Sequence, residues 1–173
     1  MIDAFIRLVC LLSRLCGITA AIMVLISTLV VCQMVFLRYV LEASVIWQTE
    51  FVTYLLIAAT LIGSPYVLLK RGHVNVDLLP MYLGQRARFI LALVASSLSL
   101  VFCIVVTWAG YKFWHEAWEY GWLSDTMWSP RLWIPYLTIP VGFGILALQY
   151  VADILSLLTG RDMPFGIAPE RVQ

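Results

Sequence analysis

Of the 173 residues, 62% are hydrophobic and 12% charged, against roughly 45–50% and about 25% in ordinary soluble domains; a water-soluble globule of this size has nowhere to bury that much apolar side chain. The near balance of 11 Lys and Arg against 10 Asp and Glu argues against a nucleic-acid partner held by bulk charge. Electrostatics must therefore act through where the charges sit.

The first uncharged run is 15–37, between Arg14 and Arg38. As a helix rising 1.5 Å per residue it would be about 35 Å long, enough to cross a hydrocarbon core of about 30 Å with some tilt. Arg7 and Arg14 precede it much as basic residues precede the apolar stretch of a secretory signal. The run is too long for one, however, and ends at Arg38 and Tyr39 without a small-residue cleavage pattern, so a retained membrane helix is expected. Uncharged runs 51–69, 89–111 and 132–152 follow, each near the ~20 residues that a crossing needs. The pattern predicts an all-α integral membrane protein: one domain over 1–160 with four transmembrane helices at about 15–37, 51–69, 89–111 and 132–158, then a tail at 161–173 loosened by Pro164, Gly166 and Pro169.

Four crossings put both termini on one side. Eight basic residues fall in the N-terminus (Arg7, Arg14), the middle loop (Lys70, Arg71, Arg86, Arg88) and the tail (Arg161, Arg171), and three in the other loops (Arg38, Lys112, Arg131). The positive-inside bias places the richer set in the cytoplasm. All seven tryptophans lie in or beside the two loops thereby assigned to the outer side, as expected of an aromatic belt among lipid headgroups.

Between the first two spans, Arg38 is followed by Ser44, Trp47 and Glu50, so an ion pair of Arg38 with Glu50 or Glu42 is expected near the outer interface. The middle loop, 70–88, is basic and punctuated by Gly72, Pro80 and Gly84, yet holds Val74, Val76, Leu78, Leu79, Met81 and Leu83. It is expected to contain a short interfacial segment, with Lys70, Arg71, Arg86 and Arg88 among anionic lipid heads. His73 and Asp77, four apart, could form a docking latch or a local hydrogen-bonded cap. Past the third span, Tyr111, Trp114 or His115, Trp118 and Trp122 recur at helical spacing, so that helix should run beyond the hydrocarbon. Its aromatic stripe would meet lipid headgroups or a protein partner. Ser129, Pro130, Trp133, Pro135, Pro140 and Gly142 bracket the entry to the fourth span. Proline is cheap at a helix start, but Pro140 lies deeper and should kink the helix.

No Asp, Glu, Lys, Arg or His stands inside the uncharged runs, whereas ion-coupled carriers place ionisable groups in the membrane interior. Asp153, toward the end of the last helix, reads as a capping or interfacial group. Cys10, Cys16, Cys32 and Cys103 form no C-x-x-C pair and read as small buried apolar residues. The two histidines, His73 and His115, are assigned to opposite membrane faces and cannot jointly ligate haem. His115 with Glu116 and Glu119 reads as a solvated helix end. No catalytic, cofactor-binding or metal-binding residue is expected.

Arg38-Tyr39, Ser44-x-x-Trp47-x-x-Glu50, Gly63, Arg71-Gly72-His73-Val74-x-Val76-Asp77-Leu78-Leu79, Arg86-x-Arg88, Ser129-Pro130-x-x-x-Ile134-Pro135 and Ile139-Pro140-Val141-Gly142, in this order and placement, resemble the small membrane subunit of tripartite ATP-independent periplasmic (TRAP) transporters. One departure is visible: Gln48 and Thr49 precede a single Glu50, where the family often has two adjacent acids after the tryptophan. The resemblance implies a bacterial inner-membrane machine. A periplasmic solute receptor would deliver an organic anion, often a carboxylate, to a large sodium-driven elevator subunit that this chain braces. Arg38, Trp47, Glu50, Gly63, Arg71, His73, Asp77, Pro130, Pro135 and Pro140 are candidates for subunit contact or structure, and Trp114, Trp118 and Trp122, by their spacing, interfacial aromatics. Gly17, Ala20, Ala21, Ala58, Ala59 and Gly63 would permit close helix packing, within the chain or against the large subunit. A membrane anchor or assembly subunit of an enzyme complex is the alternative class.

Overall fold

The computed structural model describes residues 2–43, 45–70 and 85–159. Ser44, Arg71, His73, Asp77, most of the expected interfacial segment and the 161–173 tail lie outside these residues, as does the side chain of Arg88. Among the described residues the helices are α1 (Ile2–Val40), α2 (Gln48–Leu69), α3 (Gln85–Glu119), α4 (Trp133–Tyr136) and α5 (Thr138–Leu158). The stretches Ala4–Val40, Gln48–Leu69, Phe89–Glu119 and Trp133–Leu158 are long and apolar enough to cross a membrane. The chain is thus an all-helical membrane protein with four spans. α1 packs along α2, α3 along α5, and α5 also touches α2 and α1, so α5 sits at the centre of the bundle.

Side chains are distributed as a bilayer demands. Large apolar groups face outward, among them Leu29, Leu98 and Phe102, each more than half exposed. Most buried positions are small or polar, among them Ser13, Cys16, Ser27, Ala58, Ala59, Ala117, Gln149 and Ala152, with Val9 and Leu146 the larger apolar side chains beside them. Lipid tails solvate leucine as well as another helix would, so apolar bulk gains nothing by being inside, and small residues that let backbones approach are found there instead.

α1 begins well before the expected residue 15. Arg14 bounds the uncharged run and Arg7 precedes it, but Val9, Ser13 and Cys16 are buried at i, i+4 and i+7, a helical face that continues packing past Arg14, with Phe5 and Ile6 half-buried before Arg7. Of the expected close-packing residues, Gly17, Ala20 and Gly63 meet a neighbouring helix of the chain and Ala58 and Ala59 are buried, whereas Ala21 is exposed. A Cβ on Gly17 would run into the ring of Tyr66, and one on Gly63 would lie 3.0 Å from Ala20 Cβ, so the α1–α2 crossing uses them.

Two prolines shape the rest. Pro65, fully buried inside α2, has no N–H for the carbonyl of Leu61 four residues earlier. The Ser64 hydroxyl donates to that same carbonyl at 2.8 Å, restoring a partner where no water is at hand. α5 crosses at this point: a Cβ on Gly142 would sit 2.7 Å from the Leu61 oxygen. The helical hydrogen bonding of the fourth span is interrupted between α4 and α5. The residue four before Pro140 is Tyr136, where α4 ends, and Leu137 stands between α4 and α5 with helical dihedrals (φ −57°, ψ −28°). Pro140 thus falls in the first turn of α5, where a missing amide costs least.

Candidate functional site

Glu50 organises the tryptophan-rich end of the bundle. It lies in the first turn of α2, where the helix dipole favours a carboxylate. Tyr54, one turn on, donates to its Oε1 at 2.6 Å. The hydroxyls of Ser124 and Thr126, from the loop after α3, donate to Oε1 and Oε2. Three hydroxyls from two segments thus converge on one charged acceptor, and hydrogen bonds of this kind are about twice as strong as neutral ones. Trp47, at the N-cap position of α2 without a capping hydrogen bond, completes the joint by packing on Phe51 and Trp128, with ring centroids 5.8 and 6.2 Å away.

The expected ion pair of Arg38 with Glu50 or Glu42 does not form. Arg38 is exposed in the last turn of α1 and makes no ion pair among the described residues. The carboxylate is occupied by hydroxyls that need not be dehydrated as a guanidinium must. Of the residues standing where the family often carries acids, Gln48 is buried with its Oε1 unpaired among the described residues, and Thr49 donates to Met34 Sδ at 3.5 Å.

α3 does run past residue 111, to Glu119, but Trp122 does not extend its stripe. Gly121 takes a left-handed φ of +61°; its N–H bonds to Trp118 O, and the N–H of Trp122 bonds to Ala117 O. This pattern stops an α-helix. Trp122 is folded back on Phe113 at 5.6 Å, and Phe113 reaches Tyr136 of α4 at 4.7 Å. Trp118 meets Trp133 edge to face at 4.5 Å, and Trp114 lies 5.9 Å from Trp118. The stripe therefore has a partner inside the chain. The loop is closed by Leu132 N–H to Trp122 O and Ser124 N–H to Pro130 O, both 3.0 Å. Pro130 thus supplies the acceptor facing Ser124, and the Pro135 carbonyl accepts from Thr138 at 2.6 Å. His115 lies 3.8 Å from Glu119, both exposed.

Toward the other end, Ser13 of α1 donates to Gln149 Oε1 at 2.7 Å, fully buried. Gln149 Nε2 in turn donates to Asp153 Oδ1 at 2.9 Å. Asp153 therefore belongs to a chain of polar groups across the α1–α5 contact. A search of the apolar runs for charge passes over Gln149; its signal is a primary amide inside an apolar helix, four residues before an acid and so on the same face. Lys70 follows α2, its ammonium 6.0 Å from the Tyr66 ring, and Arg86 is exposed in the first turn of α3.

Residues 27–160 match the family model described as tripartite ATP-independent periplasmic transporters, DctQ component. The chain is 23% identical to the C4-dicarboxylate TRAP transporter small permease protein DctQ of Vibrio cholerae, the match covering 73% of this chain and 64% of that one. It is 24% identical to the isethionate TRAP transporter permease protein DctMQ of Oleidesulfovibrio alaskensis, over 65% of this chain and 18% of that far longer one.

Proposed function

The chain belongs to the DctQ component family of TRAP transporters, and from that premise we propose that it is the stationary brace of a larger membrane subunit. As a member with four apolar spans, it is a multi-pass protein of the bacterial inner membrane and a small permease subunit. In our reading it has no catalytic role. Its termini lie in the cytoplasm, and the subunit it holds moves an organic anion, a carboxylate, driven by sodium after delivery by a periplasmic receptor. The observation that carries the reading is the DctMQ relative, in which the segment resembling this chain is 18% of one permease chain. A region that can be covalently part of a larger permease is suited to lie against one as a separate subunit.

The buried polar groups agree with a bracing role. Ser13, Gln149 and Asp153 are turned toward one another across α1 and α5, which fixes two helices and leaves no row of ionisable groups for a cargo. Co-expression with the neighbouring reading frames of the source genome, followed by purification in detergent, should recover a much larger polytopic partner. Sodium-driven uptake in vesicles should require both proteins. Recovery with a soluble redox or hydrolytic subunit, or gradient-driven uptake by this chain alone, would overturn the proposal. Glu50→Ala should weaken assembly or transport without changing which solute is preferred; altered selectivity would mean that the chain touches substrate.

A further inference from the structure

Two concavities follow one another along the seam between α3 and the α4–α5 segment. The larger one, about 610 Å³, is lined by Ile104, Trp108 and Trp114 on one side and by Leu137, Gly144 and Ala147 on the other. Two of the α3 side chains that line it carry hydroxyls, Thr107 and Tyr111, and that of Thr107 is spent on Cys103 O at 2.7 Å. The second, about 460 Å³, is formed by Trp118, Gly121, Leu123, Arg131 and Trp133. Trp118 lies one turn beyond Trp114 and Trp133 one turn before Leu137, so the two are successive stations on one seam. From Leu137 to Ala147 a helix rises about 15 Å, half of a ~30 Å hydrocarbon core. The groove thus has the length of one leaflet, with the tryptophan pair at its headgroup end.

Arg131 is exposed and makes no ion pair or side-chain hydrogen bond among the described residues. Lys112 holds its ammonium 5.3 Å from the ring of Trp108, which lines the larger groove. Glu119, the last residue of α3, faces His115, and Asp125, in the same loop as Arg131, forms no ion pair with that arginine. A guanidinium beside two indoles matches a phosphate diester, which it can grip through two N–H groups. A helix of one leaflet's length and ~10 Å diameter would fill roughly 1,200 Å³, twice the groove, whereas an acyl chain is thin enough to lie in it.

We infer that this seam binds one anionic phospholipid of the leaflet at the tryptophan-rich end, its acyl chain along the α3–α5 groove and its phosphate on Arg131. The inference stands apart from which subunit the chain braces. The full chain, purified in detergent, is incubated with phosphatidylglycerol or with phosphatidylcholine of equal chain length, and retained lipid is counted by native mass spectrometry. One phosphatidylglycerol per chain is expected, preferred over phosphatidylcholine by about fivefold or more. Arg131→Gln, at an exposed position that leaves the helix packing alone, should abolish the preference. Gly144→Leu should reduce retention of both lipids: its Cβ would meet only Thr107 Cγ2, at 3.8 Å, and the rest of the side chain would enter the groove. Three outcomes would each sink the inference: no lipid preference in the natural chain, a preference surviving Arg131→Gln, or unchanged retention in Gly144→Leu. An acidic segment of a protein partner would then be the occupant to seek.

Discussion

Gly142 meets the backbone of α2 where Pro65 has freed a carbonyl, and backbone atoms cannot rotate out of the way of an added methyl. Gly142→Ala should push α2 and α5 apart, because its Cβ would lie 2.7 Å from Leu61 O and 2.8 Å from Leu61 C; overpacking of this kind costs about 1–3 kcal/mol. Gly144→Ala, two residues on with only Thr107 Cγ2 at 3.8 Å, should stay within about 0.5 kcal/mol of the natural chain. Thermal unfolding in detergent, followed by circular dichroism, separates the two, and equal midpoints would refute the close approach. Glu50 offers a second residue-scale test. Glu50→Ala removes the acceptor shared by Tyr54, Ser124 and Thr126, so amide exchange at Ser124 and Leu132 should quicken severalfold while exchange within α5 stays constant. Little of this was legible beforehand. Trp47 and Glu50 stand out by type and position, but their partners outside α2, namely Ser124, Thr126 and Trp128, lie more than seventy residues away in sequence and depend on the turn at Gly121.

At the scale of elements, the spans were legible because four long apolar runs admit no other fold in lipid, and the break before α5 because Pro140 withholds one amide from Tyr136. The start of α1 was not. Charge marks where a run ends, whereas packing of Val9, Ser13 and Cys16 decides where a helix ends, and both arginines on the first turns can reach out to water or headgroups. The α1–α5 contact was hidden for a related reason: serine and glutamine pass as neutral, yet in lipid an unpaired amide is costly. Ser13→Ala, Gln149→Leu and the double variant should therefore form a cycle with a coupling of about 0.6 kcal/mol, and no more than ~1.7, measured by reversible unfolding in mixed micelles. Zero coupling would mean that the 2.7 Å contact holds nothing together. The value should stay modest, because Gln149 retains Asp153 as a partner when Ser13 is lost.

At the scale of the whole molecule, the orientation of the bundle rests on charge asymmetry. Eight basic residues in the termini and middle loop against three in the other loops favour cytoplasmic termini, since basic residues resist translocation. Helices with an even number of crossings would look the same inverted, so packing alone is silent on the matter. Met127, 89% exposed in the loop that Glu50 anchors, and Ala4, exposed near the start of α1, mark the two ends. With the four native cysteines replaced by alanine, Met127→Cys should react with a membrane-impermeant maleimide in intact cells, and Ala4→Cys only after the inner membrane is opened. The reverse pattern would turn the bundle over. It would put the Glu50 joint and the Arg131 seam in the cytoplasm, out of reach of any periplasmic receptor.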